Sequence, residues 1–402
     1  MKLLTLRTII ALYIVAVAVA VAQAWFAPSP VPAGPGDDQT PSDQVRNHTT
    51  GNSTLELVFV LDTTGSMGGL LEGAKQRIWG IVNEVIQSAS HPSVRVGLVA
   101  YRDRGDEYVT KVLPLTADLD QVYSTLMSYR AEGGGDTPEN VRRALADGVR
   151  NAGWSPRTPG IAQIIFLVGD APPHEDYQDE PSTATTTAEA VKAGMIVNTI
   201  QCGNVPGTQP VWQAIAQSGE GQYFEIAQDG GVQAITTPYD REMSELGAKI
   251  GATYVAYGGG AGPGGVRYRV ARQAEQAVLE MSVAASAPAG AAADRALNKA
   301  VNSEAYAGDL LTSLENGSLK LDAVKDEDLP DALKKLEPAA RQKEIERRLA
   351  EREKLRQDIL KLSKLRDDFI AASRQKQAGK PNGFDSAVAA ALKGQLSRKG
   401  IK

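Results

Sequence analysis

The sequence predicts an α/β fold: a doubly wound, mostly parallel sheet with helices on both faces, followed by a mainly helical C-terminal region. Three observations carry this expectation. From Thr54 onward, apolar runs of strand length alternate repeatedly with helical patterns. Those runs are continuously apolar rather than alternating, as in strands covered on both faces. Beyond about residue 256 the strand-like runs stop, and Ala-rich and then heavily charged helical sequence takes over.

Taken in order, "LELVFVLD" at Leu55–Asp62 reads as the first strand, and Met67–Ser88 as a helix with Leu71, Ile78, Val82, Val85 and Ile86 on one face. "VRVGLVAY" and "YVTKVLPL" read as strands, and Leu119–Tyr129 and Glu139–Ala152 as helices. "AQIIFLVGD" is a strand, Thr183–Ala193 a helix, "MIVNTIQC" a strand, Pro210–Ser218 a helix and "GQYFEI" the last strand. The run "AYGGGAGPGG", Ala256–Gly265, reads as a hinge. Leu333–Arg374 is helical with a break at Pro338. Its apolar residues Ile345, Leu349, Leu355, Ile359, Leu362, Leu365 and Phe369 suggest a helical hairpin or short coiled coil. Arg352 and Arg366 stand where a clean apolar seam would continue, which argues against a long dimeric coil. "GFDSAVAAALKGQLSRKGIK" is a short amphipathic helix with a basic end.

This divides the chain into residues 1–24, 25–53, 54–250, 251–328 and 329–402. In the first segment, Lys2 and Arg7 precede an apolar run from Ile9 to Val21 and the small-residue site "AQA". That is the pattern of a secretory signal peptide cleaved before Trp25; an uncleaved membrane anchor is the alternative. Residues 25–53 are rich in Pro, Gly, Asp and Ser and read as a flexible tether. Export to the periplasm or medium is expected. The single Cys202 excludes an internal disulfide and reads as a small core residue. The net charge of −5 gives no case for nucleic acid. From Leu329 onward 19 Lys/Arg stand against 10 Asp/Glu, so a basic tail follows an acidic body. Its plainer reading is a solvated helix surface; its sharper one is contact with a membrane or with the body itself.

In a parallel α/β sheet, ligands bind beyond the carboxyl ends of the strands. The first strand delivers Asp62, Thr64 and Ser66 there. The second delivers Asp103 and Asp106, which read as turn residues. The loop "EGGGDTPE" delivers Asp136 and Thr137. "GDAPPHED" delivers Asp170, His174, Glu175 and Asp176. Alternate residues of an extended loop point the same way, so Asp62, Thr64 and Ser66 can converge, with Gly65 allowing the turn. Carboxylates and hydroxyls form a hard oxygen set suited to Mg²⁺, with Mn²⁺ or Ca²⁺ as alternatives. Neutral hydroxyl ligands leave the ion part of its charge, and with it an appetite for an outside oxygen.

"VFVLDTTGSM" resembles the first motif of the von Willebrand factor type A domain, whose metal-ion-dependent adhesion site uses D-x-S-x-S; here Thr64 stands for the first Ser. "FLVGDAPPH" resembles the later strand and aspartate of the same domain and gives Asp170 that role. The resemblance covers about Leu55–Leu246 and implies a parallel sheet with one short antiparallel edge strand. "GGGDTPE" departs from the family's "GGT" loop: its Thr ligand would align near Gly135, so Asp136 or Thr137 substitutes, with Asp136 favoured. The resemblance implies a metal-dependent binding module that captures an oxygen ligand, a carboxylate above all, of a partner protein. Two other functions compete with it: a Mg²⁺-dependent hydrolase using His174 or Glu175 as base, and a passive envelope structural protein. No P-loop or G-x-S-x-G elbow supports the hydrolase.

Overall fold

β1 (Thr54–Asp62) is the central strand, and every residue of it after Thr54 is buried. Its apolar side chains divide by parity. Leu55, Leu57, Phe59 and Leu61 enter one core, and Val58 and Val60 enter another on the opposite face. Two cores on one strand require helices on both sides, which is why the run lacks polar alternation. The computed structural model describes residues 53–86, 93–135, 137–226, 235–302, 306, 308–376 and 383–401. The expected leader, the tether as far as residue 52, and Asp136 lie outside the described residues.

The other strands are β2 (Ser93–Tyr101), β3 (Thr110–Thr116), β4 (Ile161–Gly169), β5 (Ile196–Cys202) and β6 (Glu220–Ile226). Their order is β3-β2-β1-β4-β5-β6, parallel throughout except for β3, which pairs antiparallel with β2. Pro114 in β3 sits on an edge strand, where its missing N–H costs least. The chain lays β1, β2 and β3 outward in one direction and then returns to place β4 on the free side of β1. The strand order therefore reverses between β1 and β4, and a crevice opens at their carboxyl ends.

One face carries α1 (Leu71–Ile86) and α2 (Leu119–Ser128), with Trp79 and Tyr123 meeting edge to face. The other carries α3 (Val141–Arg150), α4 (Thr183–Ala193) and α5 (Thr208–Ser218). The N-caps are Asp118 for α2, Asn140 for α3 and Ser182 for α4, each accepting from a backbone N–H inside its helix. The expected helix from Met67 begins later than its periodicity suggests. Gly65–Gly69 form a single 3₁₀ turn before α1, because the chain must first wrap the end of β1.

The helical region consists of α6 (Asp240–Ala252), α7 (Gly262–Ser286), α8 (Ala289–Val301), α9 (Leu310–Glu315), α10 (Asp331–Lys334), α11 (Pro338–Lys376) and α12 (Gly383–Arg398). The boundary expected after residue 250 runs through one apolar cluster that joins Met243 and Ile250 to Tyr254, Ala293, Leu297 and Ile359. The Gly-rich run expected as a hinge is pinned: Gly258 N–H donates to Asp328 O, Gly260 N–H to Asp328 Oδ1, and Arg269 to the carbonyls of Gly258 and Gly260. Instead of a hairpin, α11 is one uninterrupted helix that begins at Pro338, where proline is tolerated.

Buried ion pairs fasten these helices to the sheet domain. Arg295 of α8 grips the Asp120 carboxylate of α2 through Nε and Nη2, at 2.9 and 2.8 Å. Burial alone would raise the Asp120 pKa, yet Arg295 and Lys299 hold it below the usual carboxylate range. α12 returns to the sheet, where Val388, Ala391, Leu392 and Leu396, with Ile401 just beyond the helix, join the core that contains β1. Gln395 and Asn198 of β5 exchange two hydrogen bonds there, at 3.2 and 2.7 Å.

Candidate metal centre

Asp62 ends β1 and Asp170 follows β4. Because Leu61 pairs with Val168 in parallel register, the two aspartates leave adjacent strands side by side, at the point where the strand order reverses. Asp62 is fully buried and Asp170 nearly so, whereas Ser66 is exposed at the rim. The Asp62 Oδ1 accepts from the Thr64 N–H at 2.8 Å and from the Thr64 hydroxyl at 2.6 Å. Thr64 Oγ1 lies 3.1 Å from Ser66 Oγ, which donates to Asp170 Oδ1 at 3.1 Å. Four side chains, 108 residues apart at their extremes of Asp62 and Asp170, thus form one unbroken relay between two buried carboxylates by way of exposed Ser66.

The surrounding loops are stitched by backbone. Gly65 N–H donates to Gly133 O, Glu132 N–H to Thr63 O, Glu139 N–H to Pro172 O, and His174 N–H to Glu139 O. A β-carbon at Gly65 would lie 2.8 Å from Gly133 O, so only glycine permits this approach. Asp106 accepts from the Gly134 N–H with both oxygens, tying the loop after β2 to the Gly-rich loop.

Burial pushes the Asp62 carboxyl up to about 7, and the neighbouring Asp170 charge adds to that. Burial also raises Asp170, though its bond from Ser66 opposes this. Asp62 Oδ2 is buried beside the Tyr101 hydroxyl but without an aligned hydrogen bond. Two carboxylates held together at a cost, with an orphaned oxygen, form an arrangement that a cation would relieve.

The family model of the von Willebrand factor A domain matches residues 56–238. Residues 56–238 form a von Willebrand factor A domain. Two curated relatives align with the chain at 30% identity. One is an ariadne-like RING finger protein of Acanthamoeba polyphaga mimivirus, over 125 residues, 30% of this chain and 11% of that protein. The other is von Willebrand factor A domain-containing protein 7 of Rattus norvegicus, over 195 residues, 48% of this chain and 20% of that protein. The chain thus spans a fifth or less of the length of these relatives. Among solved structures, the VWA domain of SpRpn10 aligns at 18% identity, with a TM-score of 0.33, over 44% of this chain and 89% of its own.

Within the A domain, Asp62, Thr64, Ser66 and Asp170 come together. Thr137 is exposed on its loop, outside the relay, and Asp136 lies outside the described residues. Asp103 and Asp106, expected as turn residues, brace the rim. His174 is buried between carboxylates: Nδ1 is 2.8 Å from Asp176 Oδ1, and Nε2 is 3.2 Å from Asp103 Oδ2 without hydrogen-bond alignment. Its ring stacks on Tyr177, whose hydroxyl donates to Asp103. Glu175 is exposed beside Arg142. Cys202 is buried at the end of β5, and burial raises its thiol pKa, as for an unreactive core residue.

The residues present fit a hard divalent ion. Among the described residues no three His, Cys, Asp or Glu side chains converge as a ligand set. The relay instead offers two carboxylates and two hydroxyls, the all-oxygen chemistry of Mg²⁺ with room for water. Glu139 escaped the sequence reading, which placed it only at the start of a helix. It is 1% exposed and its Oε2 is unpartnered. The available signal was its position, in the same short loop as Asp136 and Thr137.

Proposed function

We propose that this chain is an exported, metal-dependent protein-binding module. The A domain suggests a protein-interaction role in general. The metal dependence rests on one observation: the relay from the buried, partly orphaned Asp62 through Thr64 and the exposed Ser66 to the buried Asp170. Asp62, Thr64, Ser66 and Asp170 would hold Mg²⁺, or Mn²⁺ or Ca²⁺ in its place. A bound ion would supply a Lewis-acidic position for an oxygen of the partner. The chain's own part is preorganisation. The Thr64 N–H fixes the Asp62 carboxylate, the stitched loops fix Thr64, and exposed Ser66 marks the side from which a partner approaches. The basic leader, apolar run and "AQA" site support export, and Pro-rich residues 25–53 support a spacer before the A domain.

The test is capture of a partner from envelope extract by the full chain in Mg²⁺ and in chelator, with Asp62→Ala beside the wild type. Capture in Mg²⁺ alone, lost in the variant while its circular dichroism is unchanged, supports the proposal. Equal capture in chelator refutes it.

A further inference from the structure

The acidic groups at the rim of the A domain are not equivalent. Asp103 is satisfied by the Tyr177 hydroxyl, and Asp106 by backbone N–H groups. Glu139 is different. Although 1% exposed, it keeps Oε2 without a partner, as Asp62 keeps Oδ2. Its backbone is pinned to the Asp170 loop by the bonds to Pro172 and His174. Its side chain reaches the other way, to Thr64. The space above Gly134 is shared by these two residues: a β-carbon there would lie 2.9 Å from Thr64 Cβ and 3.0 Å from Glu139 Oε1. Glycine at 134 is what lets them meet.

We propose that Glu139 is a positioning carboxylate of the metal site, one shell out from the ion, and that it turns the site toward neutral oxygen ligands and away from carboxylates. This rests on the reading of Asp62, Thr64, Ser66 and Asp170 as the ion's ligands. Lone pairs and charge set this role. In the structure the Thr64 hydroxyl donates to Asp62 Oδ1. When that carboxylate turns to a cation, the hydroxyl proton needs another acceptor, or the Thr64 oxygen cannot present a lone pair. Glu139 Oε1 is beside it. Outer carboxylates of this kind orient ligands and typically change metal affinity 10- to 100-fold. In the empty site burial, and then Asp62, raise the Glu139 carboxyl to about 9; a bound divalent ion favours its ionised form, and a third carboxylate beside Asp62 and Asp170 then makes the site net negative. An incoming carboxylate is then repelled, whereas a backbone carbonyl, amide or hydroxyl oxygen is not.

Two titrations on the full chain test this: Mn²⁺ alone, followed by electron paramagnetic resonance, and acetate onto the Mn²⁺-loaded protein. Wild type, Glu139→Gln, Glu139→Asp and Asp62→Ala are compared. Glu139→Gln keeps the shape and removes the charge. It is expected to weaken Mn²⁺ roughly tenfold while acetate binds more tightly, and Glu139→Asp is expected to restore part of both. A merely structural role for Glu139 would weaken both ligands together, and that result overturns the proposal. So does unchanged Mn²⁺ affinity in Glu139→Gln while Asp62→Ala loses the ion, which leaves the metal site itself standing. Failure of the wild type to bind Mn²⁺ overturns the metal site and the role of Glu139 with it.

Discussion

Asp62 sits where a carboxylate is costly, and the cost has a sign that can be measured. Without metal its carboxyl is raised to about 7, by burial first and then by Asp170, against about 3.9 for an unfolded Asp. The native state therefore holds a proton that the unfolded state releases. Stability is full below about pH 4 and falls by a few kcal/mol as pH rises to about 7. In chelator, urea unfolding at pH 4.5 and 7.5 should show this loss in the wild type, and a smaller one in Asp62→Asn. Mg²⁺ at pH 7.5 should restore the wild type and not the variant. An equal pH response in both proteins would show that Asp62 is not the group concerned. At this scale the sequence was readable where chemistry is local or follows from strand ends. The spacing of Asp62, Thr64 and Ser66 is one such case, and Asp170 after an apolar run is another. Glu139 was not readable, because its burial depends on backbone bonds to Pro172 and His174 from a different loop.

Among the elements, α11 shows how a seam that looks broken can be intact. Ile345, Arg352 and Ile359 are buried along one side, and Leu349, Leu355 and Leu362 are partly buried beside them. Arg352 is fully buried. It donates to Asp309 Oδ2 at 2.6 Å, and to the hydroxyl and carbonyl of Thr253 at 2.8 and 3.0 Å. Arg366 pairs with Asp240 and Asp294, at 2.7 and 2.9 Å. The seam is thus written for particular acidic neighbours within the chain, and a buried pair of this kind fixes register. Arg352→Ala strands Asp309 in the interior and should cost about 3–5 kcal/mol in urea unfolding. The double variant Arg352→Met with Asp309→Asn should cost less than the sum of its two parts. Strict additivity would mean that the pair is not coupled. The sequence marked both arginines as irregular, but their acidic partners are 43 to 126 residues away and no periodicity reveals them. The strands were legible for the opposite reason: a strand buried on both faces announces itself in a short apolar run.

For the molecule as a whole, the A domain is not the unit that buries its own surface. Arg295 and Lys299 enter against Asp120, and α12 closes over β5 and α1. Removing everything after Lys376 uncovers the seats of Val388, Leu392, Leu396 and Ile401. Each such side chain contributes about 1.5–3 kcal/mol when buried. The shortened chain is expected to lose on the order of 5 kcal/mol, to bind a hydrophobic dye and to melt over a broad range. A sharp transition at the full-length temperature would show that α12 is an appendage. The basic excess of the tail is in part the solvated surface of its plainer reading, with Lys343, Lys354, Lys361 and Lys364 exposed, while the pairing of Arg352 and Arg366 across the fold leaves no trace in a charge count. The return of α12 to the sheet also sets an order of events in the cell. A protein is made from its amino end, so the residues that seal the first strand's core leave the ribosome long after that strand. A chain halted anywhere before Val388 shows greasy surface to every chaperone and protease it meets, and the core around β1 cannot be finished until α12 has been made.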